Sequence, residues 1–505
     1  MNVKEILLRN VEKFHSKPVL FFHNEAVNFL QIRDIVFKLA KTFKELGLKK
    51  GDKVAVYLPN IPAYIYSYLG IWCSGLVCVP LDFMLTEEEI MFFISHSEAK
   101  VLITTPKSGV SIDSLKEKSP NLRNIILCNS KEVPLKKKNL ILWEEIMDRK
   151  DVEGPEVDID DKDYSIIFYT SGTTGMPKGV LVNYLQLEAP PKALEYFVDI
   201  NENDITLCAL PFSHLGGLIY IQALLWFGLT LILMERFQPL EFLRNVSKYK
   251  VTCFWIVPSM YYAFLRLREF EELDLSSLRW IVSFGASSSP EALRRFHRYC
   301  PQAHFLNGWG LTETNAPTTV IKMGSNKIES VGRALPWVEV KIFDDNDKEV
   351  NMGEIGEIAV KGWVVSDGYY NNPQTTKEAF RNGWFYTGDL GRFDEEGDLY
   401  IVGRKKEMIK VSGEIVFEPE VEAVIMKNTK ISEVAVIGVP DRLRGEVPKA
   451  FIVLKENEEM GEEEIRIFCR QHLAHFKVPH YFEFVKELPK TRSGKIDKAE
   501  LRNRI

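Results

Sequence analysis

From about residue 50 the chain alternates short β-rich apolar runs with helical patterns, and this alternation constrains its fold more than any other feature. Gly51-Asp52 leads into KVAVYLP, a strand; IPAYIYSYLGIWCSG is an apolar helix and LVCVPLD the next strand. AKVLITT, NIILC, TCFWIVP and LRWIVSFG repeat the theme. Runs of this kind, ending where loops begin, predict parallel sheets covered by helices. Ligands of open α/β sheets gather at the carboxyl ends of strands, so the loops after these runs are where a site is expected. At 505 residues the chain exceeds one core, and two or more domains follow.

The texture changes after about residue 330. VEVKIFD, GEIGEIAVKG and GDLYIVG are short runs separated by Asn/Asp/Gly turns, which predicts antiparallel β structure. Beyond Arg404 a charged region mixes strands (EVAVIGVP, KAFIVLK) with a helix (GEEEIRIFCRQHLAHF). This predicts a separate α+β domain of roughly 100 residues, with domains at 1–403 and 404–505.

Gly217 to Met234, GLIYIQALLWFGLTLILM, holds 18 residues without charge, near the length of a membrane span. Gly228 splits it, and Glu235-Arg236 follow at once, so a buried helix feeding a buried parallel strand is the expectation. The opening MNVKEILLRNVEKF is an amphipathic helix pattern without a signal-peptide core. A net charge of −6 gives no reason to expect nucleic acid, and the Lys136–Lys138 run reads as solvated loop. Seven scattered cysteines without CxxC or a Cys/His cluster predict reduced thiols, a cytoplasmic protein and no zinc site.

The chemistry concentrates in Tyr169 to Val180, YTSGTTGMPKGV. Four hydroxyls (Thr170, Ser171, Thr173, Thr174), three glycines (Gly172, Gly175, Gly179) and Lys178 share twelve residues after the strand DYSIIFYT. Glycines admit backbone N–H groups close to a phosphate, hydroxyls add donors and lysine adds charge. The segment is not a GxxxxGK[ST] loop, because Pro177 stands where the second glycine would be.

Six further segments accompany it: LPFSHLGG (210–217), SFGASSS (283–289), NGWGLTET (307–314), WFYTGDLG (384–391), GRKKEMIKVSGE (403–414) and PKTRSGKI (489–496). In order and spacing the seven resemble the adenylate-forming superfamily of acyl-CoA synthetases, carrier-protein adenylation domains and firefly luciferase, from about residue 20 to the C-terminus. The resemblance implies a large N-terminal domain of stacked α/β sheets plus a small β-barrel-like region, and a smaller, mobile α+β C-terminal domain. It implies an ATP-dependent acyl-CoA ligase: a carboxylate attacks the α-phosphorus of ATP, pyrophosphate leaves, and coenzyme A then displaces AMP. A weak nucleophile approaching a polyanion needs alignment, which can supply roughly 7–11 kcal/mol, and fixed cations at the developing charge.

The resemblance also implies roles. Thr170, Ser171, Gly172, Thr173, Thr174, Gly175 and Lys178 would hold the β- and γ-phosphates, with Thr312 a further phosphate contact and Glu313 the Mg2+ ligand. Gly285, Ala286, Asn307, Gly308 and Trp309 would contact adenine. Asp389 would accept the ribose hydroxyls, joined by Arg404. Lys495 would bridge the carboxylate and α-phosphate. Lys406 would be the hinge of a domain rotation that withdraws Lys495 and brings in Lys410 and Gly413, the latter lining the pantetheine tunnel. His214 would flank the acyl pocket and the path of the thiol, as against a core histidine.

Several positions depart from the family's pattern. Asn183-Tyr184 replace a frequent Thr-His pair, Phe284 replaces a small residue before Gly285-Ala286, Ile415 replaces an asparagine, and Pro419 comes one place late. Gly310 stands where acetate-activating relatives tend to carry tryptophan, so a medium- or long-chain fatty acid, or an aromatic acid, is expected over acetate. An aryl-CoA ligase, and an adenylating enzyme that loads a separate carrier protein, stay open as alternatives, as do peripheral membrane contact and a homodimer.

Overall fold

The computed structural model describes residues 2–504 except 107–113, 116–118, 130–138, 151, 171–176, 268–272, 286–289, 316, 326, 413 and 491–495, and does not describe the side chains of 290, 291 and 415. The Lys136–Lys138 run, Ser171 to Gly175, Ala286, Gly413 and Lys495 therefore lie outside the described residues.

Two large sheets dominate the N-terminal domain. The first runs Leu140–Leu142, Asn124–Leu127, Val101–Thr104, Lys53–Tyr57, Val77–Leu81, Tyr164–Thr170 and Lys178–Asn183 in spatial order. Its members are parallel until the last, which folds back antiparallel on Tyr164–Thr170. The second runs Arg333–Ala334, Thr319–Val320, His304–Trp309, Trp280–Ser283, Cys253–Ile256, Ile205–Cys208, Thr230–Leu233, Pro18–Phe22 and Glu25–Asn28. It is parallel from His304–Trp309 through Pro18–Phe22, with antiparallel edges. The apolar runs that predict strands all form them.

Local chemistry explains the helices between. Pro62 opens Pro62–Cys73 with its φ already set, and the helix is apolar on every face because it is buried on nearly every face. Capping boxes, Asn28 with Gln31 and Thr86 with Glu89, start Phe29–Glu45 and Glu87–Ser97. The uncharged stretch is a helix, Leu215–Phe227, ended by Gly228 at φ 69°, and then the strand Thr230–Leu233. Gly228 is irreplaceable on two counts: its left-handed backbone, and Phe14, whose ring a Cβ would meet at 2.1 Å. Among the described residues no helix is long and apolar enough to cross a membrane.

A third, antiparallel sheet follows, ordered Val338–Phe343, Gly356–Gly362, Trp384–Phe393 and Phe380–Arg381, with Leu399–Arg404 paired to the later part of Trp384–Phe393. The C-terminal α+β domain is built on Glu414–Phe417, Met408–Val411, Gly445–Leu454 and Ile431–Asp441, with Tyr481–Phe484 added in parallel. Its apolar core, from Ile409 to Leu501, is its own. Glu418, at the start of Glu418–Ile425, is buried and paired with Lys498 at 2.9 Å and Arg502 at 2.7 Å, both from the last helix, Lys498–Asn503. All seven cysteines are buried free thiols.

The two large sheets are fastened to one another beside the site. Asn60, after the strand Lys53–Tyr57, donates to the Leu210 carbonyl at 2.7 Å and accepts from the Phe212 amide at 3.0 Å. The Tyr68 hydroxyl adds a bond to the Phe212 carbonyl at 2.8 Å. The 210–214 loop is thereby held by buried polar contacts, each expensive to leave unmade.

Candidate active site

One cleft of about 2910 Å3 opens at the carboxyl ends of both parallel sheets and is lined on its other side by Tyr400 to Met408, Lys410, Glu414 and Phe417. Thr170, Lys178, His214, Gly285, Asn307, Gly308, Trp309, Thr312, Glu313, Asp389, Arg404, Lys406 and Lys410 all line it. The described candidates, dispersed over 240 residues of sequence, therefore share one space.

The described residues that flank the glycine/hydroxyl segment are paired. Thr170 ends one strand, Lys178 begins the next, and the two are register partners. Residues 366–370 are stitched to that second strand: the Leu181 amide donates to the Gly368 carbonyl at 3.1 Å, Tyr370 N–H to Gly179 O at 2.7 Å, and Val180 bridges Tyr369. This brings the Tyr369 ring to 5.0 Å from the Lys178 ammonium and its hydroxyl to 2.9 Å from Glu313 Oε1. Glu313, in the short 3-10 turn Thr312–Thr314, is only 9% exposed. Burial pushes its carboxyl above the ordinary range, against the pull of the Tyr369 hydroxyl, Lys178 and Arg404. A buried carboxylate in the cleft, with oxygen as its donor atom, fits a hard ion such as Mg2+.

Trp309, Asp389 and Arg404 form a second group. The Trp309 indole N–H donates to Asp389 Oδ2 at 2.9 Å, and Arg404 Nε lies 3.0 Å from Oδ1. Asp389 and Arg404 are register partners on adjacent antiparallel strands, which fixes their approach. Trp309 ends the strand His304–Trp309, belongs to the same apolar cluster as Val331 and Leu335, and lines the cleft. Asn307 pairs in register with Ser283, so the 307–309 segment and Gly285 meet at neighbouring strand ends. The Asn307 side-chain amide donates to the Ser330 carbonyl at 3.1 Å.

The third group is apolar apart from one dyad. Phe284 lies over Gly216, where a Cβ would meet the ring at 3.0 Å, and Trp255, Val257 and Met260 continue the wall. His214 Nε2 stands 3.2 Å from Asp82 Oδ2, the residue after the strand Val77–Leu81. On the opposite side, Lys406 lies in the turn Lys405–Glu407, and burial followed by the neighbouring Arg404 charge lowers its ammonium from the ordinary lysine value. Lys410 stands on Met408–Val411, which pairs antiparallel with Glu414–Phe417. Lys490 bridges Ile496, and the Asp497 amide donates to the Pro489 carbonyl at 2.7 Å, so the residues on either side of 491–495 are paired.

Sequence reasoning missed Tyr369 and Asp82. Asp82 closes LVCVPLD, so its place at a strand end was a usable signal. For Tyr369, in SDGYYNNP, the contact depends on a bridge to a strand 189 residues away, and no local pattern announces it.

Residues 7–370 match the family model described as AMP-binding enzyme, and residues 420–495 match the AMP-binding enzyme C-terminal domain. A long-chain-fatty-acid–CoA ligase of Bacillus subtilis (strain 168) is 34% identical over 526 residues, covering 99% of this chain and 94% of that protein. Among solved structures, the anthranilate CoA ligase AuaEII in complex with anthranoyl-AMP superposes with a TM-score of 0.90 at 27% identity, over 100% of this chain and 97% of that one. ATP-bound MatB from Rhodopseudomonas palustris also gives 0.90 at 27%, over 100% and 99%.

Proposed function

Because this chain belongs to the AMP-binding enzyme family, we propose that it is an ATP-dependent acyl-CoA ligase that forms an acyl-AMP and then the coenzyme A thioester. One observation carries the reading. Lys178 and Glu313, the Trp309–Asp389–Arg404 group and the apolar wall around Phe284 face a single cleft. Those are the needs of a triphosphate, a nucleoside and an acyl chain.

The residues divide the work. Thr170 and Lys178, with Ser171 to Gly175, hold the β- and γ-phosphates, and Thr312 adds a hydroxyl. Trp309 presents its ring to adenine beside Gly285, Ala286, Asn307 and Gly308, while Asp389 and Arg404 hold the ribose. Glu313 would hold Mg2+, which neutralises phosphate charge as pyrophosphate departs. Lys495 is the cation for the carboxylate and α-phosphate. The C-terminal unit, beginning near Arg404, turns about Lys406 so that Lys410 and Gly413 replace Lys495 for the second step. The cytoplasm, where thiols stay reduced, suits seven buried cysteines.

The acid we favour is a medium- or long-chain fatty acid, supported by the apolar wall, Gly310 and the Bacillus subtilis relative. An aromatic acid is the second reading, supported by the superposition on an anthranilate ligase. Acid-dependent ATP–pyrophosphate exchange across acetate to palmitate and the benzoates, with thioester scored on adding coenzyme A, tests both. Exchange and thioester with one class establish the ligase and that class. Exchange without thioester points to a carrier-protein acceptor, and no exchange with any acid sinks the proposal.

A further inference from the structure

Lys178 and Glu313 bring opposite charges to one site from two different sheets. Lys178 begins the last strand of the first sheet, and Glu313 follows His304–Trp309 of the second. Residues 364–370 reach both. Towards Glu313, the Ser366 amide donates to the Glu313 carbonyl at 2.8 Å, and the Asn315 side chain donates to the Val364 carbonyl at 3.0 Å. Towards Lys178, the Ser366 hydroxyl donates to the Leu181 carbonyl at 2.7 Å, beside the Leu181–Gly368 and Tyr370–Gly179 backbone bonds. Ser366 and Asn315 are both buried, so these bonds are costly to leave unmade.

Tyr369 lies in the middle of this strap and touches both charged side chains. Its hydroxyl donates to Glu313 Oε1 at 2.9 Å, and its ring lies 5.0 Å from the Lys178 ammonium, within the range of a cation–π contact. The residue is buried, its ring meets Phe380 edge-on at 5.7 Å, and its amide donates to Thr376 Oγ1 at 3.0 Å. Hydroxyl and ring face are therefore presented from a fixed position. With one carboxylate oxygen engaged, the direction in which the other points is set. The ring draws the ammonium to one side and leaves the N–H groups on its far side for phosphate oxygens.

We infer that Tyr369 is a positioning residue that couples Lys178 to Glu313, so that the triphosphate and its Mg2+ are held as one unit; the inference rests on the ligase reading above. The hydroxyl acts through Glu313 and the ring acts through Lys178, so substitution can separate the two. Tyr369→Phe keeps the ring and deletes the hydroxyl alone, whereas Tyr369→Leu deletes both.

The test is calorimetric binding of a non-hydrolysable ATP analogue to the full-length protein, once with Mg2+ and once with excess EDTA. The quantity read is the ratio of the Kd in EDTA to the Kd with Mg2+. In the wild type this ratio should lie well above one. In Tyr369→Phe it should shrink about tenfold, because a hydrogen bond to a charged group is lost. The Kd of that variant in EDTA should stay within about twofold of wild type, because the ring is kept. In Tyr369→Leu the ratio should shrink as far, and the Kd in EDTA should also rise about two- to fivefold. General damage to the site would weaken both Kd values alike and leave the ratio unchanged. An unchanged ratio in Tyr369→Phe, or a wild-type affinity indifferent to Mg2+, would overturn the inference while leaving the ligase reading in place. A wild-type protein that neither binds the analogue nor supports exchange with any acid would overturn the ligase reading and this inference with it.

Discussion

The Tyr369 hydroxyl donates to Glu313 at 2.9 Å inside a site where the carboxylate is only 9% exposed. One neutral donor and two cations do not offset the burial, because the carboxyl is held above its ordinary value. Folding therefore favours the protonated form, and ionising the group costs stability as pH rises past the unfolded value of about 4.3. Glu313→Gln should raise the melting temperature at pH 7, with the gain shrinking as pH falls below about 4. The same variant should lose exchange. Thermal unfolding at several pH values checks the sign, and a lower melting temperature at pH 7 would refute it.

Trp309→Phe keeps an aromatic face but removes the N–H that Asp389 Oδ2 accepts. A buried carboxylate oxygen stripped of its donor costs about 1–3 kcal/mol. Urea unfolding should show that loss, and KM for ATP should rise while KM for the acid stays put.

Phe284 and Gly216 touch across the apolar wall. Phe284→Gly should widen the range of acids that support exchange towards bulkier ones. Gly216→Ala, whose Cβ would lie 3.0 Å from the ring, should alter the same profile by displacing it. An acid profile identical to wild type in both variants would remove Phe284 from the acyl path.

Glu418 is a buried charge with two cationic partners on the last helix. Removing it deprives Arg502 of its buried partner and leaves Lys498 with Glu422 at 2.7 Å, and breaking a buried pair typically costs about 3–5 kcal/mol. Glu418→Ala should therefore lower the stability of the C-terminal domain selectively, read as faster amide exchange over 408–501 than in the large sheets.

Much of this architecture is legible in the sequence because the strands are apolar on both faces and end in glycine or polar turns. KVAVYLP, TCFWIVP and LRWIVSFG contain the strands Lys53–Tyr57, Cys253–Ile256 and Trp280–Ser283. Gly228 divides the uncharged stretch as its position suggests. What stays hidden is set by tertiary approach. The segment after Thr170 is recognisable, but its return as an antiparallel strand beginning at Lys178 is not. Phe284 stands out as a departure from pattern, yet only packing reveals Gly216 beneath it. His214 and Asp82 are 132 residues apart, and no periodicity joins them.

The uncharged stretch from Gly217 to Met234 has a bearing on how the chain is made. Its strand half pairs with Ile205–Cys208 and Pro18–Phe22, both upstream. The N-terminal helix reaches its helical half through Asn10, which donates to the Leu225 carbonyl, and Phe14 covers Gly228. Chains emerge from the ribosome N-terminus first. The most membrane-like segment of this protein thus leaves the exit tunnel with its strand partners and helical cover already synthesised, and it can be buried without waiting for the half of the chain still to come.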